Sequence, residues 1–235
     1  MKIFSLIIPC YNESKNLPAL VSKCKEVFSL EKNIEFILVD NGSTDETSRV
    51  LDAVVSEFSF ITIVSVKTNI GYGHGILAGL AVAKGEFIGW THADLQTDPI
   101  DVLKGLDLLH KSSNPEILFI KGRRYGRSFL DTFFTFGMSI FETILLKRIM
   151  WDINAQPTMF HRSFFLSWES PPNDFSLDLY AYYMAIKSDL LVKRFPVNFS
   201  KRVHGVSNWN FSLSSKYRFI KRTLLYSFDL QKRIK

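Results

Sequence analysis

Cysteine is nearly absent from this 235-residue chain: only Cys10 and Cys24 occur. Each lies in an apolar periodic stretch, as a buried thiol does, so a disulfide framework and a thiolate metal site are both excluded. No uncharged apolar run of about 18 residues is present, so no membrane-spanning helix is expected. The nearest candidate, 128–150, is interrupted by Asp131, Glu142, Lys147 and Arg148. The apolar start, Met1 to Ile8, stops at Pro9, Asn12 and Glu13 with no small-residue cleavage site, which argues against a leader and for a cytoplasmic chain. Internal repeats and low-complexity linkers are lacking as well. Net basic charge is missing from most of the chain. The net +6 is matched by residues 216–235, where seven Lys and Arg face Asp229 alone. A near-neutral remainder excludes a broad nucleic-acid-binding face.

Phenylalanine is abundant, with 21 residues, more than an ordinary core needs. Short apolar runs alternate with helical patterns through the first half. Strands are expected at Ile3–Ile8, Phe36–Val39, Ile61–Val66, Phe87–Trp90 and Ile117–Lys121. Between them lie a helical pattern from Leu17 to Phe28, a helix capped by Ser43 and Glu46 and running to Glu57, one over Gly75–Ala83, and one opened by Asp98-Pro99. This alternation predicts an α/β fold with a mostly parallel sheet and helices on both faces. The second half is less regular: a Phe-rich helix over about 128–149, a helix over Ser176–Lys187 and a strand over Leu191–Phe199.

Ligands of such sheets sit beyond the carboxyl ends of the strands, so the polar residues there matter most. Asp40 ends the second strand, where a carboxylate can accept from a base or ribose; Asn41-Gly42-Ser43-Thr44-Asp45 would equally suit a simple turn. After the fourth strand, His92, Asp94 and Gln96 alternate, and an extended backbone would point them to one side. Asp94 fits a hard cation such as Mg²⁺ or Mn²⁺, which takes few protein carboxylates and the rest of its oxygens from diphosphate and water. Asp98 reads as a helix cap. Gly73-His74-Gly75-Ile76-Leu77-Ala78 matches a dinucleotide fingerprint, yet the loop Lys67–Tyr72 separates it from its strand, which argues against that use.

Four blocks together resemble family 2 glycosyltransferases, above all the polyprenyl-phosphate and dolichol-phosphate sugar transferases. They are Ile7-Ile8-Pro9-Cys10-Tyr11-Asn12-Glu13, Val39-Asp40-Asn41-Gly42-Ser43-Thr44-Asp45, Asn69-Ile70-Gly71-Tyr72-Gly73 and Ala93-Asp94-Leu95-Gln96-Thr97-Asp98-Pro99. The resemblance implies a GT-A, Rossmann-like domain and an inverting hexosyltransferase using a UDP-, GDP- or dTDP-sugar and a divalent cation. It implies that Pro9, Tyr11, Glu13, Asp40, Asn41 and Gly71 hold the nucleotide-sugar, with Asp94, Gln96 and His92 at metal and diphosphate. Arg124 would stabilise the leaving group, and Asp178 would act as base or positioning acid. Asp152, Gln156, Arg202 and His204 would meet the acceptor and its phosphate. Where the family usually has Asp, this chain carries His92; Asn41 replaces a common second Asp, Asn208 a usual Lys, and the loop 152–157 lacks Ser-Gly-Phe.

The acceptor expected is a polyprenyl phosphate. The alternatives are a sugar hydroxyl of a lipid-linked or surface polysaccharide and, ranked last, a non-catalytic nucleotide-sugar binder. Residues 1–210 are expected to form the catalytic domain, split near 122 into donor and acceptor halves. Residues 211–235 would be a basic amphipathic segment. In it Tyr217, Ile220, Leu224 and Phe228 line one face, with Arg218, Lys221 and Arg222 elsewhere around the helix. With Phe129, Phe133, Phe134, Phe136, Phe141 and Ile144 of the earlier stretch, that face would hold the protein peripherally on an anionic membrane. Packing on the core or in a homo-oligomer is the competing use of both helices.

Overall fold

Strand β1 (Phe4–Cys10) is apolar on both sides because both faces of the sheet are covered. Phe4, Leu6 and Ile8 enter one core layer, while Ile7 enters the other. The computed structural model describes residues 3–202, 204 and 213–233, with main chain alone at 55, 56 and 213–219. The expected 210/211 boundary and Asn208 lie outside those residues, as do the side chains of Tyr217 and Arg218.

The strands β2 (Ile34–Asn41), β3 (Ile61–Val66), β4 (Phe87–Trp90), β5 (Leu118–Tyr125), β6 (Thr158–His161) and β7 (Leu191–Asn198) complete a seven-stranded sheet of order β3-β2-β1-β4-β6-β5-β7. All run parallel except β6, which is antiparallel to both β4 and β5. The helices are α1 (Leu17–Leu30), α2 (Thr47–Glu57), α3 (Tyr72–Val82), α4 (Val102–His110), α5 (Phe129–Leu146), α6 (Arg162–Leu166), α7 (Leu177–Lys187) and α8 (Leu213–Arg233). Residues of α1, α2 and α4 fill one core layer, and those of α3, α6 and α7 the other.

The mostly parallel α/β sheet is the one expected. Four details differ. Strand β6 has four residues, too few for a period to register in sequence. Helix α2 starts at Thr47 without a side-chain cap; Ser43 instead turns its hydroxyl to the main-chain N–H of Asn12, 3.2 Å away. Helix α3 starts at Tyr72 because Gly71, at φ +146°, makes the entering turn. His92, Asp94 and Gln96 do not alternate along an extended strand: β4 ends at Trp90 and Leu95 takes a left-handed φ of +56°. Asp98 does cap the following turn, accepting from the N–H of Ile100 at 3.0 Å.

Helix α5 is opened by Ser128, whose hydroxyl accepts from the N–H of Asp131. At 18 residues and mean hydropathy 1.4 it is long and apolar enough to cross a membrane by length and composition, with 17% of it buried. The expectation of no such helix therefore fails: Asp131 and Glu142 interrupt the charge-free run without making the helix polar. Its Phe129 and Phe133 are 83% and 64% exposed. Its other side meets α8. The Ser227 hydroxyl donates to Glu142 at 2.6 Å, Gln231 donates to the Leu145 carbonyl, and Phe228 stacks edge-on against Phe141.

Burial pushes the Glu142 carboxyl up to about 7, against the pull of the Ser227 hydrogen bond, and its Oε2 has no hydrogen-bond partner. The folded chain thus keeps this proton up to about pH 7, whereas an unfolded chain releases it near pH 4.5. Stability should fall as pH rises through that window. Glu142→Gln should equal wild type in melting temperature near pH 4 and exceed it by about 3–6 °C above pH 7, as read by thermal melts across pH.

Candidate active site

The carboxyl edge of the sheet gathers the polar groups, and the loops there are tied to one another. Asn12, at φ +57°, accepts from the N–H of Thr44 at 2.8 Å. The Ser14 hydroxyl donates to Asp45 at 2.6 Å, and the N–H of Glu13 to the Thr47 hydroxyl at 2.9 Å. Asp40, opposite Cys10 in the β1–β2 register, accepts from the N–H of Ser43 at 2.9 Å and from the Ser48 hydroxyl. Its carboxylate therefore shapes this turn and also lies at the strand end expected for nucleoside recognition. Pro9 and Tyr11 flank it, half-buried. Asn41 is buried; its amide donates to the Gly71 carbonyl at 2.9 Å, so its visible work is to hold the α3 entry loop.

That loop tolerates no side chain. A Cβ on Gly71 would lie 2.2 Å from the carbonyl oxygen of Asn173, and one on Gly73 would lie 2.6 Å from that of Pro172. The N–H of His74 donates to the same Asn173 carbonyl at 2.9 Å.

Asp94 is the buried carboxylate of the β4 exit. Its Oδ1 accepts from the N–H of Gln96 at 3.1 Å, and its Oδ2 forms an ion pair with Nη2 of Arg202 at 2.7 Å. The Arg202 Nε donates to the Gln96 side-chain oxygen at 3.3 Å. The main chains of Gln96 and Ser200 pair alongside, Ser200 N–H to Gln96 carbonyl at 2.8 Å. Glu13 adds a second carboxyl: burial raises its pKa, the Asn16 hydrogen bond lowers it, and the nearby Asp94 charge raises it further. The Asn16 amide also reaches the main-chain carbonyl of His204, whose ring side is exposed.

His92 sits amid the charged groups. Its surroundings lower its pKa chiefly by desolvation; Asp94 and Asp178 pull it up, and Arg124 and Arg202 push it down. The net shift is downward, toward the neutral imidazole. Tyr72 lies beside it, ring centroids 5.4 Å apart, and stacks on Phe175.

Beyond His92 is a second buried carboxylate, Asp178, on the first turn of α7. It accepts from the indole N–H of Trp90 at 3.2 Å and the amide of Gln156 at 2.9 Å. The same amide donates to the Tyr72 hydroxyl at 3.1 Å. Burial raises the pKa of Asp178, while Lys121 and His92 lower it. Lys121 is itself wholly buried; its ammonium donates to the Thr158 hydroxyl at 2.8 Å, and burial drops its pKa to about 7. Arg124, at the end of β5, holds Asp152 through its main-chain N–H and its Nε, both at 2.9 Å, and through Nη2. Burial alone would raise the Asp152 carboxyl, but Arg124 more than offsets it and holds it below the usual range. Arg124 and Arg127 both lie over the ring of Phe199.

The edge thus brings together Glu13, Asp94, Gln96 and Arg202 on one side, and Asp178, Gln156, Arg124 and Asp152 on the other, with His92 between. Sequence reasoning passed over Trp90, Tyr72, Thr158 and Lys121. A lysine closing an otherwise apolar strand was the one available signal. Among the described residues no three acidic, His or Cys side chains form a cage for a metal. The donor set still suits Mg²⁺ or Mn²⁺, whose remaining ligands come from diphosphate, and Asp94 already receives a cation, the Arg202 guanidinium.

The family model described as Glycosyl transferase family 2 matches residues 5–165. The undecaprenyl-phosphate 4-deoxy-4-formamido-L-arabinose transferase of Aeromonas hydrophila is 38% identical over 104 residues, covering 43% of this chain and 32% of that protein. The dolichyl-phosphate beta-glucosyltransferase of Dictyostelium discoideum is 27% identical over 163 residues, covering 62% of this chain and 50% of that protein. The matched regions span about a third to a half of these relatives. Among solved structures, glucosyl-3-phosphoglycerate synthase from Mycobacterium tuberculosis, with Mn²⁺, UDP and glucosyl-3-phosphoglycerate, superposes at TM-score 0.69 and 18% identity, covering 97% of this chain and 80% of that one. Mannosyltransferase PcManGT from Pyrobaculum calidifontis, with GDP-Man and Mn²⁺, gives TM-score 0.70 at 18% identity, covering 98% and 64%. These two likenesses concern the fold, which is the GT-A arrangement. With the family model spanning more than half the chain over this sheet edge, the protein belongs to glycosyl transferase family 2.

Proposed function

We propose that the protein transfers a sugar, with inversion, from a nucleotide-sugar to a polyprenyl phosphate at the cytoplasmic face of a membrane. The observation that carries this reading is the two-sided edge, with Asp94 on the donor side, the Arg124–Asp152 pair on the acceptor side, and the exposed Phe face of α5 following directly after β5. The relatives named for undecaprenyl-phosphate and dolichyl-phosphate sugar transfer support the acceptor class.

In this reading a phosphate oxygen of the acceptor attacks the anomeric carbon, and the bond from that carbon to the diphosphate breaks, its electron pair leaving on the phosphate oxygen. Tyr11, Asp40 and the Gly71 loop grip the nucleoside. A divalent cation held by Asp94, with Gln96 and His92 at its sides, would neutralise charge on the departing diphosphate. Arg124 spends Nε and Nη2 on Asp152 and leaves Nη1 to offer to an anion. A phosphate acceptor is already anionic and needs no base, so Asp178 positions groups through Trp90 and Gln156. The test is transfer of labelled sugar from UDP-, GDP- and dTDP-donors with Mn²⁺, comparing polyprenyl phosphate with lipid-linked oligosaccharide. Label in a polyprenyl-phosphate sugar is expected. Absence of binding by every nucleotide at millimolar concentration overturns the reading.

One observation favours the second reading, a hydroxyl acceptor: Asp178 is a buried carboxyl with raised pKa, as a general base has. Asp178→Asn separates the two. The phosphate reading expects turnover within about tenfold of wild type, whereas loss of a base costs about 10²–10⁴.

Membrane contact rests on α5. Helix α8 spends part of its apolar face on α5, burying Leu230, so the lipid-facing surface is carried more by α5 than by the tail. Phe133→Glu with Phe134→Glu should weaken sedimentation with anionic vesicles by about tenfold or more and leave the melting temperature unchanged.

A further inference from the structure

We infer that Arg202 is a stand-in cation: it occupies the cation position at Asp94 before ligands arrive, and moves onto the diphosphate when the metal takes its place. The inference rests on the functional reading above and adds an exchange that the reading does not contain.

Asp94 is held so that it needs a positive partner in every state. Its side chain is 5% exposed, with Oδ1 committed to the N–H of Gln96 and Oδ2 facing Arg202 at 2.7 Å. A second carboxyl, Glu13, shares the surroundings. An unpaired carboxylate at such burial is costly. Arg202 supplies the missing charge and also donates to the side-chain oxygen of Gln96, so it engages two of the three residues proposed to meet the metal.

A divalent cation on Asp94 Oδ2 and the guanidinium in its present place exclude each other, both by contact and by like charge. Arg202 is the more exposed partner, 26% against 5%, so it is the one free to leave. Its chain is anchored two residues back by the paired main chains of Gln96 and Ser200. That anchor keeps a released guanidinium at the same edge, where the functional reading places the diphosphate. The metal alone must evict Arg202 with nothing to receive it. Metal and diphosphate arriving together supply both the replacement cation and the acceptor for Arg202. Metal-alone binding is therefore weakened by this side chain, and nucleotide binding is strengthened by it.

Arg202→Gln gives the two effects opposite signs. Mn²⁺ affinity without nucleotide, read by electron paramagnetic resonance of free Mn²⁺, should rise about fivefold. Affinity for UDP or GDP with Mn²⁺ present, read by calorimetry, should fall by about tenfold. A merely loosened fold would weaken both. Arg202→Lys, which keeps a cation at the site, should leave the metal-only affinity near wild type. Unchanged or weaker Mn²⁺ binding by Arg202→Gln overturns the exchange, as does unchanged nucleotide affinity. Failure of the wild type to bind any of UDP, GDP or dTDP would instead overturn the functional reading, and the metal-only titration would still decide whether Arg202 holds the cation position at Asp94.

Discussion

Replacing Asp94 with Asn should lower sugar transfer by about 10³-fold and remove the Mn²⁺ dependence of nucleotide binding. The side chain keeps its size and can still accept from the Gln96 N–H, so the exit from β4 should hold its shape. What disappears is the negative charge. Among the described residues no other carboxylate forms an ion pair with Arg202, and no set of three ligands surrounds the position. The melting temperature should change little, because Arg202 is partly exposed and can turn to water. Turnover in Asp94→Asn above about a tenth of wild type, measured at saturating donor and Mn²⁺, would remove the carboxylate from the mechanism.

Arg124→Met should be the most destabilising of the site changes, by about 3–5 kcal/mol. Side chains of Arg124 and Asp152 are only 10% and 5% exposed, so deleting the guanidinium strands a carboxylate away from solvent. Asp152 also sits at φ +42°, a conformation that the Arg124 main-chain N–H and side chain together hold. Asp152→Asn should cost less, since an amide is cheaper to bury than a charge. In the double variant the cost should fall short of the two single costs added together. Chemical denaturation of the four proteins measures this directly. Additive costs would mean that the pair does not act as a unit.

The parallel half of the fold was legible because β/α alternation writes two periods into the chain. The residues proposed for the donor side were legible because a parallel strand delivers its polar groups just after its last residue: Tyr11 after β1, Asp40 and Asn41 at the end of β2, Asp94 after β4. Strand β6 breaks that rule. It runs the opposite way, with Thr158 opposite both Trp90 and Lys121, so it delivers Asp152 and Gln156 before its first residue. Only the family resemblance pointed there. The contacts that finish the site join distant positions: Trp90 to Asp178, Arg202 to Asp94, Tyr72 to Gln156. No local pattern encodes them. Lys121 is buried for its place against Thr158 and Asp178, and a strand-ending lysine reads the same when it points to water. The turn after β4 is likewise silent: Leu95 carries no hint of its left-handed φ.

The glycines at the start of α3 have a mechanical consequence. Gly71 and Gly73 let the backbone of 172–174 lie directly on the backbone of the α3 entry, with no side chain as a spacer. One of these segments leads into α3 at the carboxyl edge of the sheet, and the other leads into the helix that bears Asp178. The width of the cleft is therefore gauged by main-chain thickness, a length that substitutions elsewhere cannot trim or pad. Under the proposed function, side chains at this edge could vary to suit a different base or sugar while that backbone spacing stays constant.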